Sequence, residues 1–140
     1  VAERLHRLEA LGGELACIHA SDQQLEAIAK LNRRMVDRSD DLSSIDFFKT
    51  DMDFHAAIIA ASGNGSLIDT HAKYNARLWR ARFLSSRRKL GRTTTLQQHQ
   101  DITDALLSRN VDAAASAMRT HIETAITNLA IGHDEEESSE

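Results

Sequence analysis

Proline is absent from this chain, and only one cysteine and six glycines occur among its 140 residues. Helices are therefore spared their strongest breaker. Aromatic residues make up 4%, too few for a sheet protein, which draws on aromatic and β-branched side chains. Cys17 has no second thiol to pair with, so an internal disulfide is excluded and a reducing compartment is expected. It lies in an apolar helical stretch and reads as a small buried hydrophobe. No signal peptide and no apolar run of membrane length is visible, so the expectation is a soluble, cytoplasmic protein without membrane contact. A basic excess is also missing. The net charge of −4 argues against this chain gripping a nucleic-acid backbone by itself. The arginines from Arg77 to Arg92 leave one local basic face.

What is present favours helices. The apolar fraction of 41% suffices for one domain with a real core, and it is rich in Ala and Leu, which suit helices. Six segments with helical periodicity follow one another. The first spans Ala2 to His19, with Leu5, Leu8, Leu11, Leu15 and Ile18 on one side and Gly12 and Gly13 either weakening it or permitting close packing. The second starts after Ser21, whose partner Gln24 completes a capping box, and carries Leu25, Ile28, Leu31, Met35 and Val36. Ser43 or Ser44 caps the third, which holds Phe47, Phe48, Phe54, Ile58 and Ile59 and stops at Ser62-Gly63-Asn64-Gly65. The fourth runs from Ser66 to about Ser86, and Gly91 breaks the chain after it. The fifth covers Thr94 to Arg109, and the sixth runs from Asp112 to about Ile131 with Asp112 or Asn110 as its cap. An all-α, antiparallel bundle over residues 1–132 is expected, followed by an acidic, Ser-rich tail, 133–140, expected to be disordered. The chain begins inside a helical pattern without an initiator Met, so a domain of a longer protein is the expectation.

Chemistry is concentrated in polar residues that fall on apolar stripes. On the third segment Asp51 and His55 share the face of Phe47, Phe48, Phe54 and Ile58, whereas Asp53 points elsewhere. On the fifth, His99 lies in the stripe of Leu96, Ile102 and Leu106; on the sixth, His121 lies with Met118, Ile122, Ala125 and Leu129. Three helices thus aim imidazoles or a carboxylate at one core. Burial without partners would cost several kcal/mol in total, and a shared divalent cation is the simplest remedy. Ordinary hydrogen bonding of each residue, including an i,i+4 pair of Asp51 with His55, is the other account of the same pattern. His6, His19 and His133 are assigned to surface, helix end and tail, and His71 to the surface first, with an approach to the cavity from the fourth helix as its alternative.

These segments resemble the FadR C-terminal domain (FCD) family of GntR-superfamily transcription regulators. The likeness rests on Asp51-Met-Asp-Phe54-His55 followed by Ala61-Ser62-Gly63-Asn64, on His99-Gln-Asp-Ile102-Thr-Asp-Ala105-Leu106, and on Asp112-Ala-Ala-Ala115 with Ala117-Met118-Arg119-Thr-His121. The resemblance implies that Asp51, His55, His99 and His121 are ligands of a divalent transition metal, zinc first, with nickel or manganese as alternatives. It implies a bundle, usually a homodimer, that senses a small organic acid, and DNA contact only through an N-terminal winged-helix domain absent from this chain. An arginine that many relatives carry shortly before the Leu-Glu pair has no clean match here, since Leu5 stands four before Glu9, and Gln98 stands where Glu is common. For the effector, Arg77, Arg82, Tyr74, Asn75 and Asn128 are the candidates, the arginine fork being suited to carboxylates. A metal-dependent enzyme acting on a small organic acid and a metal-free dimerisation bundle are the two competing readings.

Overall fold

In the computed structural model the backbone is described for residues 2–87 and 92–138, and side chains for 3–87 and 92–124. Six helices and no strand occur among the described residues: α1 (Ala2–His19), α2 (Asp22–Arg38), α3 (Ser44–Ala61), α4 (Gly65–Ser86), α5 (Arg92–Leu107) and α6 (Val111–Ser138). Their starts follow the capping chemistry. The Ser21 hydroxyl accepts from the Gln24 amide while the Gln24 side chain accepts from the Ser21 amide, so two orphan donors are satisfied reciprocally. Ser43 caps α3. α4 starts at Gly65, one residue earlier than expected, with Asn64 as its cap. Asn110 rather than Asp112 caps α6, accepting from the Ala113 amide at 3.0 Å. At the preceding turn Arg109 adopts φ 52°, and its guanidinium donates to the carbonyl oxygens of Cys17 and Ala20 and to Asp22. The α5–α6 turn is thereby tied to the end of α1. α6 extends to Ser138, into the stretch expected to be a disordered tail; Glu135, Glu136 and Glu137 are the helix-favouring residues there, and Gly132 costs about 1 kcal/mol locally. The break expected at Gly91 lies outside the described residues.

α1 meets more helices than any other element, packing against α3, α4, α5 and α6. Its buried face differs from the expected stripe. Leu5, His6, Glu9, Gly12, Gly13, Ala16 and Cys17 face inward, whereas Leu11 and Ile18 are 44% and 55% exposed. Small residues are inward because neighbouring helices come too close for large ones. A Cβ on Gly12 would lie 2.4 Å from Cδ1 of Ile59, and one on Gly13 would lie 2.8 Å from Cγ of Met118. His6, expected at the surface, is buried on this face as well. α2 and α3 follow expectation more closely, burying Leu25, Ile28, Met35, Phe47, Phe48, Phe54 and Ile58, although Val36 is exposed. Cys17 is buried, and burial pushes its thiol pKa up, as expected of an inert core residue.

Gly13→Val is expected to destabilise the fold by about 1–3 kcal/mol through overpacking against Met118. Gly65→Ala, with nothing within 4 Å of the added methyl, should be neutral or stabilise by up to about 1 kcal/mol. Thermal unfolding of the two variants checks the contrast.

Candidate metal centre

Four residues from three helices meet in the middle of the bundle. α3 carries Asp51 and His55 one turn apart, and Oδ1 of Asp51 is 3.1 Å from Nε2 of His55. The same oxygen is 3.1 Å from Nε2 of His99 on α5, whose ring is fully buried and stacked on Phe54 at 4.4 Å between centroids. From α6, Nε2 of His121 lies 3.2 Å from Nε2 of His55. The three imidazoles can each offer a nitrogen within 4.8 Å of the others. All four residues are buried, while Asp53 is exposed as the helical spacing predicts.

This arrangement fits a metal ion. Ligand atoms held at about 2.1 Å from one ion are about 3.0 Å apart when cis in an octahedron and about 3.4 Å apart in a tetrahedron. The three shortest separations, 3.1, 3.1 and 3.2 Å, fall between those limits, and the donors that converge mutually within 4.8 Å are those of the three imidazoles, with Asp51 at their edge against His55 and His99. Nitrogen and carboxylate oxygen donors suit first-row transition metals. The ring nitrogens facing outward also suit ligation. Nδ1 of His55 lies 3.1 Å from Oε2 of Glu9, and Nδ1 of His121 lies 2.8 Å from Oε1 of Gln98. Both outer atoms are acceptors, so each ring donates its Nδ1–H outward and, in the neutral form, turns the Nε2 lone pair toward the centre. Gln98 serves as a neutral acceptor for His121, held in turn by donating to Thr124 at 2.9 Å.

Glu9 is the functional residue that the sequence reading missed. It is 1% exposed and accepts from His55, from His71 at 3.0 Å, and from both ends of the Arg82 guanidinium at 2.8 and 3.4 Å. Burial alone would raise its carboxyl pKa, but the charges of His55 and Arg82 and the hydrogen bonds from the two imidazoles hold it well below the usual range. Asp51 is similar: the penalty of burial is outweighed by His99 and His55. For His55 burial works downward, but Glu9 and Asp51 on either side raise its pKa from 6.5 to about 9. A signal for Glu9 did exist in the sequence. Leu5, Glu9, Gly12, Gly13 and Ala16 share a helical face, recognisable once small residues rather than large ones mark the close-packed side.

The candidates for an effector site separate. Arg82 is buried and engaged by Glu9, and it also donates to Asn75 at 2.6 Å. Arg77 is on the exposed side of α4, Tyr74 is half-buried, and the Asn128 side chain lies outside the described residues. His71, expected at the surface, is buried on Glu9. A cleft of about 180 Å³ lies elsewhere, lined by Ser44, Phe47, Phe48, Asp51, Ser86, Arg87, Arg92 and Thr95. Asp51 belongs both to this cleft and to the central cluster. Within the cleft, the Arg92 guanidinium lies over the Phe47 ring at 4.4 Å and donates to the carbonyl of Ser39.

Comparison with known proteins agrees with the fold. The family model for the FCD domain matches residues 1–124, and the chain belongs to that family. Two similar proteins are an uncharacterized HTH-type transcriptional regulator in an unstable DNA locus of Streptomyces ambofaciens and the Nta operon transcriptional regulator of Aminobacter aminovorans. The first is 33% identical over 89 residues, 64% of this chain and 38% of that protein. The second is 28% identical over 116 residues, 83% of this chain and 53% of that protein. The chain therefore spans about half or less of the length of either regulator.

A pH dependence follows from His55. Its contribution to stability is fully present below its unfolded pKa near 6.5 and is lost as pH rises through about 9. Chelator-treated protein should therefore lose stability between pH 7 and pH 9.5, on the order of a few kcal/mol, while a bound metal ion should remove much of that loss. Thermal melts across this range, with and without zinc, check it.

Proposed function

We propose that this domain is the ligand-sensing part of a transcription regulator, holding a divalent transition metal through Asp51, His55, His99 and His121 and recognising a small organic acid beside it. Zinc is the first choice of metal, with nickel and manganese as alternatives. The observation that carries this reading is the approach of buried nitrogen and oxygen donors from α3, α5 and α6 to within 3.1–3.2 Å. When bound, the ion supplies Lewis acidity and positive charge at a buried point. The chain's own residues do the rest: they bind the ion, orient its ligands through Glu9 and Gln98, and keep water from the apolar side through Phe54, which stacks on His99.

Charge favours an anionic ligand. Arg82 offsets Glu9, and Asp51 offsets one of the two charges of a divalent ion, so the centre retains about one positive charge with neutral imidazoles. The cleft that shares Asp51 adds Arg87 and Arg92 at its wall, with Ser44, Ser86 and Thr95 as hydrogen-bonding groups. This lining suits a small carboxylate better than Arg77, which is exposed, or Arg82, which is already engaged. Regulation rather than catalysis is supported by the family and by the names of the two similar proteins, both transcriptional regulators. DNA contact would come from a segment outside this chain and the working unit would be a homodimer, so that a ligand-dependent change in α-helix placement alters the spacing of two DNA-binding units. Among the described residues no helix is long and apolar enough to cross a membrane.

Metal analysis tests the centre. His99→Ala and His121→Ala should each lose bound metal, whereas Asp53→Ala should retain it. Equal retention in all three would overturn the assignment. For the acid, a panel of mono-, di- and tricarboxylates should raise the Tm of zinc-loaded protein more than that of chelator-treated protein. Arg92→Gln should weaken the best of these by roughly 10-fold, the scale of one charge-assisted hydrogen bond.

A further inference from the structure

Glu9 does more than neutralise Arg82. Its two oxygens are fully subscribed: Oε1 accepts from His71 Nε2 and Arg82 Nη1, and Oε2 accepts from His55 Nδ1 and Arg82 Nη2. An ionised carboxylate offers acceptors only. Every neighbour must therefore present a hydrogen to it, including His55. Arg82 holds the carboxylate as a bidentate fork and is itself steadied by Asn75. His71 takes the remaining position on Oε1, so the carboxylate has no freedom to rotate away from His55. The three partners come from α3 and α4, and Glu9 comes from α1.

We propose that Glu9 is the positioning residue of the metal centre, fixing His55 as the Nδ1–H tautomer so that Nε2 is presented to the ion, with Arg82 and His71 locking Glu9 in that pose. This rests on the metal reading given above and goes beyond it, since a purely structural Glu9–Arg82 pair would be indifferent to the His55 tautomer. An amide in place of the carboxylate separates the two roles. In Glu9→Gln the carbonyl oxygen can still accept from Arg82 and His71, and this leaves the NH2 group facing Nδ1 of His55. His55 must then become an acceptor at Nδ1 and carry its hydrogen on Nε2, where the metal would bind. Glu9→Ala is unsuitable because it removes the oxygen that accepts from Arg82 and His71 as well as the charge, whereas Glu9→Gln keeps that acceptor.

The experiment measures zinc affinity by competition with a chromogenic chelator for the native sequence, Glu9→Gln and His99→Ala, with circular dichroism to establish folding. Glu9→Gln is expected to remain helical and to bind zinc about 10–100-fold more weakly, the range typical of partners that orient a ligating histidine. His99→Ala should lose binding. Native-like affinity in a folded Glu9→Gln variant, with His99→Ala defective, overturns the role of Glu9 while leaving the metal reading standing. Absence of zinc binding by the native sequence overturns both. A measurement that needs no variant accompanies these: the ring-nitrogen NMR shifts of His55 in zinc-loaded protein, because without the ion Asp51 Oδ1, 3.1 Å from Nε2, also draws a hydrogen onto that ring. They should report the Nδ1–H tautomer, and finding Nε2–H overturns the proposal even if Glu9→Gln does not fold.

Discussion

Among the described residues two carboxylates lie inside this bundle, Glu9 at 1% and Asp51 at 5% exposure, and the polar organisation of the core follows from offsetting them. An ionised carboxylate removed from water costs several kcal/mol even after relaxation. Neither can find relief on its own helix alone. Asp51 has His55 one turn away but also draws on His99 of α5, and Glu9 draws on α3 and α4. Because the offsetting groups come from other helices, the electrostatics constrain how those helices sit. An apolar core of similar volume could be as stable, but it would not impose one register of α1 against α3 and α4.

His55 connects the two halves of this network. One ring nitrogen faces Glu9, and the other faces Asp51 and His121. Its raised pKa of about 9 is the electrostatic consequence of standing between two carboxylates. A proton and a metal ion are therefore alternative ways of supplying positive charge at the same point. That equivalence explains how a site of this composition can fold with its ligands already converged. On the proposed metal reading, the hydrogen bonds on the outer nitrogens of His55 and His121 are the ones that would outlast the exchange of proton for metal.

The fold was readable from the sequence because caps and breakers act locally. Ser21 with Gln24, Ser43, and the Ser62-Gly63-Asn64-Gly65 turn each fix a helix boundary by chemistry within a few residues. Asp51, His55, His99 and His121 were legible as inward-facing for the same reason: each interrupts a stripe of large apolar residues. Glu9 was not, because on α1 the largest aliphatics are a poor guide. Leu11 and Ile18 point outward, and glycines and alanines point in. Arg82 likewise has no local signature that separates it from Arg77, since only the position of Glu9 decides which arginine is enclosed. The cleft formed by Ser44, Ser86, Arg87 and Arg92 arises where the start of α3, the end of α4 and the start of α5 meet, and no single-helix pattern announces it.

The inversion of α1 and the site of Glu9 are one structural fact. A glutamate has a short reach, so it can serve two neighbouring helices only if the α1 backbone comes close to both. Gly12, one turn further along, permits the approach to α3 by admitting Ile59 into the space a side chain would fill, and Gly13 does the same toward Met118 of α6. Larger residues there would hold α1 away from α3 and α6 and lengthen the Glu9–His55 contact with it. Hydrogen bonds weaken quickly with distance, whereas apolar contacts adapt through rotamer changes. The glycine pair therefore matters most through the charged network it allows, and less through the small apolar area buried beside it. The exposure of Leu11 and Ile18 is the corollary: beside Gly12 and Gly13 the close-packed side admits only small residues, so these two aliphatics are left on the outer face while Leu5, one turn before Glu9, stays buried.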